Sequence, residues 1–523
     1  MVAFARRRVV VSFLRVVWVL IIVWYEYGIF ISNARGCSWP DTGLLAETNE
    51  TTNARPQHVL LVADPQIVDQ HSYPSRGPLG SYLTRLIVDL NLRKNWQAAL
   101  HKRPDVVVFL GDMMDNGRLD VPDDEYEQLF TRFSNIFRLD PSIPQYFIPG
   151  NHDTGLGKST TFSPHAFSRY VSHFGPTNVE ISVANHTLVL FDAPGYANED
   201  SKRHGAKKAF TSWIPIQGGS LEYMKKFASD KHKDPVILFT HIPLYRPDGK
   251  NCGPLREKGT LRPGVGHGYQ NTLEKQSSLR LLEAFKPVAI FSGDDHDYCE
   301  YTHQLRPSFG PPINILETTV KSISMVMNVR KPGFQLLSLA PADLRLNDGL
   351  SYADTLCLLP DQLRIYLNIY LPLLAISIVI VFLSNLNRGK RRGHSKGPSD
   401  AHLLLSTSKV EGDDDDDDTE LNPYSSSSSQ GLPPPISSIN QKSPRSSRSA
   451  GWFVIQAPGR EAEGADGAPC ECVQNALHLF WPGRTRSAPH RRGWFGSSIR
   501  DVRDIAVFPL GLFVVITWWV SMR

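Results

Sequence analysis

Five short polar blocks follow one another in the chain: Asp64-Pro65-Gln66, Gly111-Asp112, Gly150-Asn151-His152-Asp153, the single His241, and Gly293-Asp294-Asp295-His296. They offer carboxylates, an amide oxygen and imidazoles, the donors that hold divalent cations. A hydrolase of phosphate esters must generate hydroxide at neutral pH and neutralise charge on the phosphoryl oxygens. Two divalent cations about 3.5–4 Å apart do both. One carboxylate must bridge such a pair, and Asp112 is the candidate. Asp64 and His296 are assigned to one metal, and Asn151 (through its carbonyl oxygen), His241 and Asp294 to the other. His152 sits beside a ligand without being one. It is suited to stabilising the phosphoryl group or protonating the leaving oxygen. Asp153 is expected to orient His152 or Asn151 from behind.

Each block follows a short apolar run: Val59–Ala63, Val106–Leu110, Tyr146–Ile148, Val236–Thr240 and Val288–Ser292. These runs are β-branched-rich and do not alternate, as in strands buried on both faces. Helical spacing over Ser81–His101 and Asn271–Phe285 predicts covering helices, hence an α/β fold with the polar blocks beyond the strands' carboxyl ends. A single Gly-Asp or Asn-His-Asp is usually a turn. Five in order, each after a strand, point to one convergent site. Asp115, Asp295 and Asp297 read as loop residues, one of which could meet a substrate ammonium. His267 and His303 read as surface histidines.

The set resembles the calcineurin-like metallophosphoesterase superfamily, with its pattern D-x-H, G-D-x-x-[DN]-x-G, G-N-H-[DE], a lone H and G-H-x-H. Gly111-Asp112-Met113-Met114-Asp115-Asn116-Gly117 and Gly150-Asn151-His152-Asp153 match it. Gln66 stands in place of a ligand histidine, and Asp294 in place of the first histidine of the last block. Gln66 still offers a carbonyl oxygen, and both changes harden the site toward Mn²⁺ or Mg²⁺ rather than Zn²⁺. Further stretches (Ala63–Gln66, His241–Arg246, Cys252–Glu257 and Phe291–Tyr301) resemble the fungal cell-division-control and trafficking branch, which is related to the animal post-GPI-attachment phosphoesterase. That resemblance spans about residues 55–345. It implies a metallophosphoesterase-type β-sandwich flanked by helices, two Mn²⁺ ions, and removal of ethanolamine phosphate from mannoses of GPI-anchor glycans in the early secretory pathway.

Outside that domain the chain looks membrane-bound. Val9–Ile31 follows Arg6-Arg7-Arg8 and is long enough to span a bilayer. An uncleaved anchor is expected there, the alternative being a signal peptide cut near Ser32-Asn33-Ala34. Ile365–Leu386 is a second span, followed at once by Arg388, Lys390, Arg391 and Arg392. Positive flanks stay cytosolic, so residues 1–8 and 387–504 are placed in the cytosol and the intervening domain in the lumen of the endoplasmic reticulum or early Golgi. Ile505–Val520 is read as a third span, against a buried or interfacial tail. Asn49-Glu50-Thr51 and Asn185-His186-Thr187 are glycosylation sequons, the second at a hairpin tip. Of the three ways to pair the four luminal cysteines, Cys252 with Cys299 and Cys37 with Cys357 is the pairing expected. Cys470 and Cys472 read as free thiols. Residues about 390–500, with Asp413–Asp418, Ser425–Ser429 and Pro433–Pro435, cannot build a core and read as disordered. Ser443-Pro444 there is a candidate phosphosite.

The net charge of +4 is nearly balanced, so no electrostatic footprint for nucleic acid exists. Two function classes remain: a luminal metal-dependent phosphodiesterase, or a non-catalytic membrane cargo adaptor on a degenerate phosphatase fold. A luminal phosphatase of another phospho-substrate lies close to the first. Retention of Asp64, Asp112, Asn151, His152, His241 and His296 favours the enzyme.

Overall fold

Two β-sheets face each other across an apolar interior in a computed structural model that describes residues 2–42, 44, 55–306, 310–341, 350–394 and 493–522. The first sheet has the order β13-β12-β1-β2-β3. Its strands are β1 (Gln57–Val62), β2 (Val106–Phe109), β3 (Gln145–Phe147), β12 (Gly333–Leu339) and β13 (Tyr352–Leu358). The second has the order β10-β11-β9-β6-β5-β4. Its strands are β4 (Val179–Val183), β5 (His186–Phe191), β6 (Val236–Thr240), β9 (Ala289–Ser292), β10 (Cys299–Leu305) and β11 (Ile313–Thr319). A small hairpin, β7 (Val265–Gly266) with β8 (Tyr269–Gln270), stands apart. β1, β2 and β3 run parallel, as do β5, β6 and β9, so the loops after them leave the sandwich along common edges.

The lack of alternation in the central strands follows from their burial. Val59, Leu61, Val106, Val108, Leu190, Phe239 and Phe291 point between the sheets. Leu60, Val62, Val107 and Phe109 point outward to a helical layer made by α3 (Pro78–Leu100), α4 (Asp123–Ile136) and α6 (Ala166–Phe174). On the far side, Val189, Phe191 and Leu238 pack under α7 (Ala193–Gly205), α8 (Ser220–Ser229) and α9 (Lys275–Phe285). The architecture is therefore a helix-flanked β-sandwich. It differs in detail from the sequence reading. α3 starts at Pro78 rather than Ser81, because proline fits a helix's first turn. α9 starts at Lys275 rather than Asn271, because the Asn271 N–H closes the small hairpin onto the Gly264 carbonyl at 2.9 Å. β13 lies past the expected boundary at residue 345 and completes the first sheet.

Both expected disulfides form, Cys37–Cys357 and Cys252–Cys299. Among the described residues, three helices are long and apolar enough to cross a membrane: Arg7–Gly36, Gln362–Leu386 and Trp494–Val520. They include α1 (Val2–Val23), α2 (Ile29–Gly36), α10 (Gln362–Arg364), α11 (Leu371–His394) and α12 (Trp494–Met522). Arg7 pairs with Asp501 and Asp504 at 2.5 and 2.9 Å, and Trp18 Nε1 donates to Ser377 Oγ at 3.1 Å. Phe30 and Ala34 of the first helix belong to the domain's own core, so the segment around the alternative cleavage site is part of the fold. The Asn49 sequon, the acidic and serine runs, Ser443, Cys470 and Cys472 lie outside the described residues. Asn185 is exposed in the β4–β5 turn.

Candidate metal centre

The polar blocks converge where the edges of the two sheets meet. Two groups of possible ligands form: Asp64, Asp112 and His296, and Asp112, His241 and Asp294, the donor atoms of each lying within 4.8 Å of one another. Asp112 is common to both, the position a bridging carboxylate requires. Reaching this geometry strains the backbone. Asp64 (φ 47°), Gln66 (37°), Asp112 (54°), Asp294 (65°) and His296 (66°) all lie in the left-handed region that non-glycine residues rarely enter. Such strain persists at functional sites because the surrounding fold imposes it.

Glycines permit the close approach of the loops. A Cβ on Gly150 would lie 2.0 Å from Asp112 Oδ1, and one on Gly111 would lie 2.3 Å from His241 Nδ1. His241 Nδ1 sits 2.7 Å from the Leu110 carbonyl, so its protonated nitrogen is spent on the backbone. Its Nε2 faces Asp112 Oδ1 and Asp294 Oδ1, each at 3.4 Å, and Asn151 Oδ1 at 3.1 Å. Asn151 presents its oxygen because its Nδ2 donates to the Gly268 carbonyl at 2.8 Å. Arg118 donates to that same carbonyl and to the Asn151 carbonyl, at 2.8 and 3.0 Å. Arg118 went unnoticed in the sequence, as did the part played by Gly268, which was seen only as a member of the Gly-rich loop around His267. Gly268 lies 117 positions from Asn151, and no spacing or residue type joins them.

Gln66 is buried in the group, and its amide nitrogen donates to Asp112 Oδ2 at 2.7 Å. The structure thus turns the amide nitrogen, and not the oxygen expected for a cation, toward Asp112; holding a cation through Oε1 would require the amide to be turned over. Asp153 departs from expectation. Its carboxylate accepts from the N–H groups of Gly150, Met113 and Met114 at 2.9, 3.3 and 3.2 Å. It thus staples two loop backbones together instead of orienting the side chains of His152 or Asn151. His152 is half-buried. Its N–H donates to Asp112 Oδ1 at 2.8 Å, and its Nδ1 meets the Asp115 carbonyl. Asp295 is held by Arg256, and Asp297 by Lys321 at 2.7 Å. His303 is not at the surface: it is buried, with Nε2 2.6 Å from Glu317 Oε2, because β10 turns it onto the Arg246–Glu317 ion pair. His267 is exposed, near the Phe162 ring.

The electrostatics ask for cations. Asp64 and Asp112 are fully buried, and Asp64 Oδ2 has no hydrogen-bond partner. Burial, with Asp112 and Asp294 nearby, pushes the Asp64 carboxyl well up. Burial also opposes ionisation of Asp112, but His241 and His152 outweigh it and hold that carboxyl below the usual range. Burial disfavours a proton on His241, yet Asp112 and Asp294 overcome it. His296 is driven down to about 3 by burial, which keeps its imidazole neutral. Buried carboxylates this close together require compensating positive charge. A field that retains a proton on His241 also suits a dication, whose binding displaces that proton. The residues present therefore fit two divalent ions.

Comparison with known proteins agrees. Residues 50–298 match the family model described as calcineurin-like phosphoesterase. The chain is 36% identical over 379 residues to "Cell division control protein 1" of Saccharomyces cerevisiae, covering 69% of this chain and 73% of that protein. It is 27% identical over 374 residues to "Metallophosphoesterase 1" of Gallus gallus, covering 69% and 86%. The Drosophila melanogaster homologue of the latter is 25% identical over 322 residues, covering 59% and 77%. The donor groups that share Asp112, the helix-flanked sandwich and these relatives together make the chain a member of the calcineurin-like phosphoesterase family, a metal-dependent hydrolase whose fold implies two divalent cations.

Proposed function

We propose that the protein is a Mn²⁺-dependent phosphodiesterase that removes ethanolamine phosphate from mannose of GPI-anchor glycans. Its catalytic domain would face the lumen of the endoplasmic reticulum or early Golgi, where it supports maturation and exit of GPI-anchored proteins. The observation that carries the reading is the pair of donor groups sharing Asp112, built on a domain whose core incorporates the end of an apolar helix. Oxygen donors dominate, with Asp64, Asp112, Asp294 and the Gln66 and Asn151 amides against two imidazoles, and this favours Mn²⁺ over Zn²⁺. Arg388, Lys390, Arg391 and Arg392 after the second apolar helix support a cytosolic end there.

Asp112 would bridge the cations, with Asp64, Gln66 and His296 on one and Asn151, His241 and Asp294 on the other. When bound, the pair supplies a nucleophile at neutral pH and offsets charge at the phosphoryl oxygens. His152, fixed by the Asp115 carbonyl at Nδ1, keeps Nε2 for the substrate. There it steadies a phosphoryl oxygen and gives a proton to the departing mannose oxygen. Arg256 and Lys321 occupy Asp295 and Asp297, so of the three loop carboxylates Asp115, beside His152, is the one to meet the ethanolammonium. The test is release of ethanolamine phosphate from a GPI glycan by the purified full chain, with Mn²⁺ and with chelator. Chelator-sensitive release supports the reading. Hydrolysis of simple phosphodiesters without release moves the substrate to another phosphate ester. Absence of both in folded, metal-loaded protein favours the cargo adaptor.

A further inference from the structure

α3 is apolar on two opposite faces, and only one of them is covered. Val88, Leu92, Trp96 and Ala99 enter the domain core. Leu79, Tyr82, Leu83, Leu86 and Ile87 are exposed, from 71% at Leu79 to 38% at Ile87. At 3.6 residues per turn, Leu79, Leu83, Leu86, Ile87 and Leu90 share one arc of roughly 100° with Lys94 and Gln97. That arc is the one that meets the apolar helices. Lys94 Nζ donates to Glu26 Oε2 of the first at 2.8 Å and to Gln362 Oε1 at the start of the second at 2.7 Å. Lys94, Gln97 and His101 line a small cavity with Tyr27, Trp519 and Val520.

The direction of α3 follows from its ends. Lys94 is joined to Glu26, and Lys102 just beyond the helix is joined to the Cys37 carbonyl. α3 therefore advances in the same sense as the first apolar helix, away from the bilayer. The residues before Lys94 run back toward it, and at 1.5 Å per residue Leu79–Ile87 lie roughly 10–23 Å before Lys94. We infer that this face of α3 is seated in the lipid of the leaflet on the catalytic side, with Ile87 toward the headgroups and Leu79, about 12 Å further along the axis, toward the acyl chains. An exposed apolar stripe of this length calls for a partner, and its continuity with the face on the apolar helices makes that partner the bilayer. The loop before α3 leads back to Gln66, and its Asp69 accepts from Asn116 Nδ2 at 2.9 Å. Seating α3 in lipid therefore holds one wall of the metal centre at the membrane surface, where a lipid-linked substrate is presented.

The experiment places the photo-crosslinking residue p-benzoylphenylalanine at Leu83, and separately at Ile87, in the full chain reconstituted in phosphatidylcholine bilayers. Ile214, 86% exposed before α8 on the opposite helical layer, is the control position. After irradiation, phosphatidylcholine adducts at Leu83 and Ile87 but not at Ile214 are expected. Adducts to a second copy or another protein, equal labelling at Ile214, or no adduct at all would overturn the inference. The readout requires no catalysis, so it stands or falls independently of the glycan substrate.

Discussion

His241, Asn151 and Gly150 show how little freedom the metal centre leaves its residues. The Leu110 carbonyl fixes the ring of His241, and the Gly268 carbonyl fixes the amide of Asn151. Gly150 has an ordinary φ of −98°, so its requirement is space rather than conformation. Gly150→Ala should displace Asp112 and lower both metal content and turnover by at least tenfold, measured by metal analysis and phosphodiester hydrolysis, with the fold retained. His152→Ala tests the opposite case. Its ring bonds a backbone carbonyl and no proposed ligand side chain, so turnover should fall about 10²–10⁴-fold, the range for a general acid, with metal content nearly unchanged. A large loss of metal in that variant would make His152 a ligand.

At the scale of elements, the carboxyl ends of β6 and β9 are braced by a buried network. Glu317 on β11 accepts from the Leu244 N–H and Ser292 Oγ at 3.0 and 2.7 Å and pairs with Arg246 and His303 at 2.9 and 2.6 Å. Removing one member strands the Arg246 charge, and breaking such a pair costs about 3–5 kcal/mol. Glu317→Ala should lower the thermal midpoint markedly, while an unchanged midpoint would show the network to be dispensable. Asp192 at the start of α7 predicts a pH effect. Burial lifts its carboxyl to about 6, although the Gly195 N–H, Ser220 and Thr177 work against this. The folded value lies above the unfolded one near 4, so the folded chain binds this proton more readily. Its contribution to stability grows as pH falls through about 6 and levels off below about 4, by roughly 3 kcal/mol. Asp192→Asn keeps the cap on the Gly195 N–H and should flatten that part of the stability profile. The strands leading into the polar blocks and two of the six covering helices, α3 and α9, were legible in the sequence, because strands buried on both faces and half-buried helices leave distinct patterns; β3 lies at the edge of its sheet and is only partly buried. β13 and the burial of His303 were not legible, since both depend on pairing with strands distant in the chain.

For the whole molecule, the metal centre and the apolar helices are parts of one construction. Lys94 ties α3 to both Glu26 and Gln362, and Cys37–Cys357 joins the end of the first apolar helix to β13, the strand leading into the second. The three apolar helices could be read from composition, whereas the way α3 carries their contact toward the metal centre becomes visible only once the chain is folded. The full chain, apolar helices included, is therefore the protein to assay. The most direct measurement on it is metal content and phosphodiester hydrolysis, with and without chelator, for the wild type and Asp112→Ala. Two divalent ions per chain, hydrolysis abolished by chelator, and loss of both ions and activity in a folded Asp112→Ala protein are the predicted result. Full hydrolysis in that variant, or in the wild type after complete metal removal, would contradict the two-metal account.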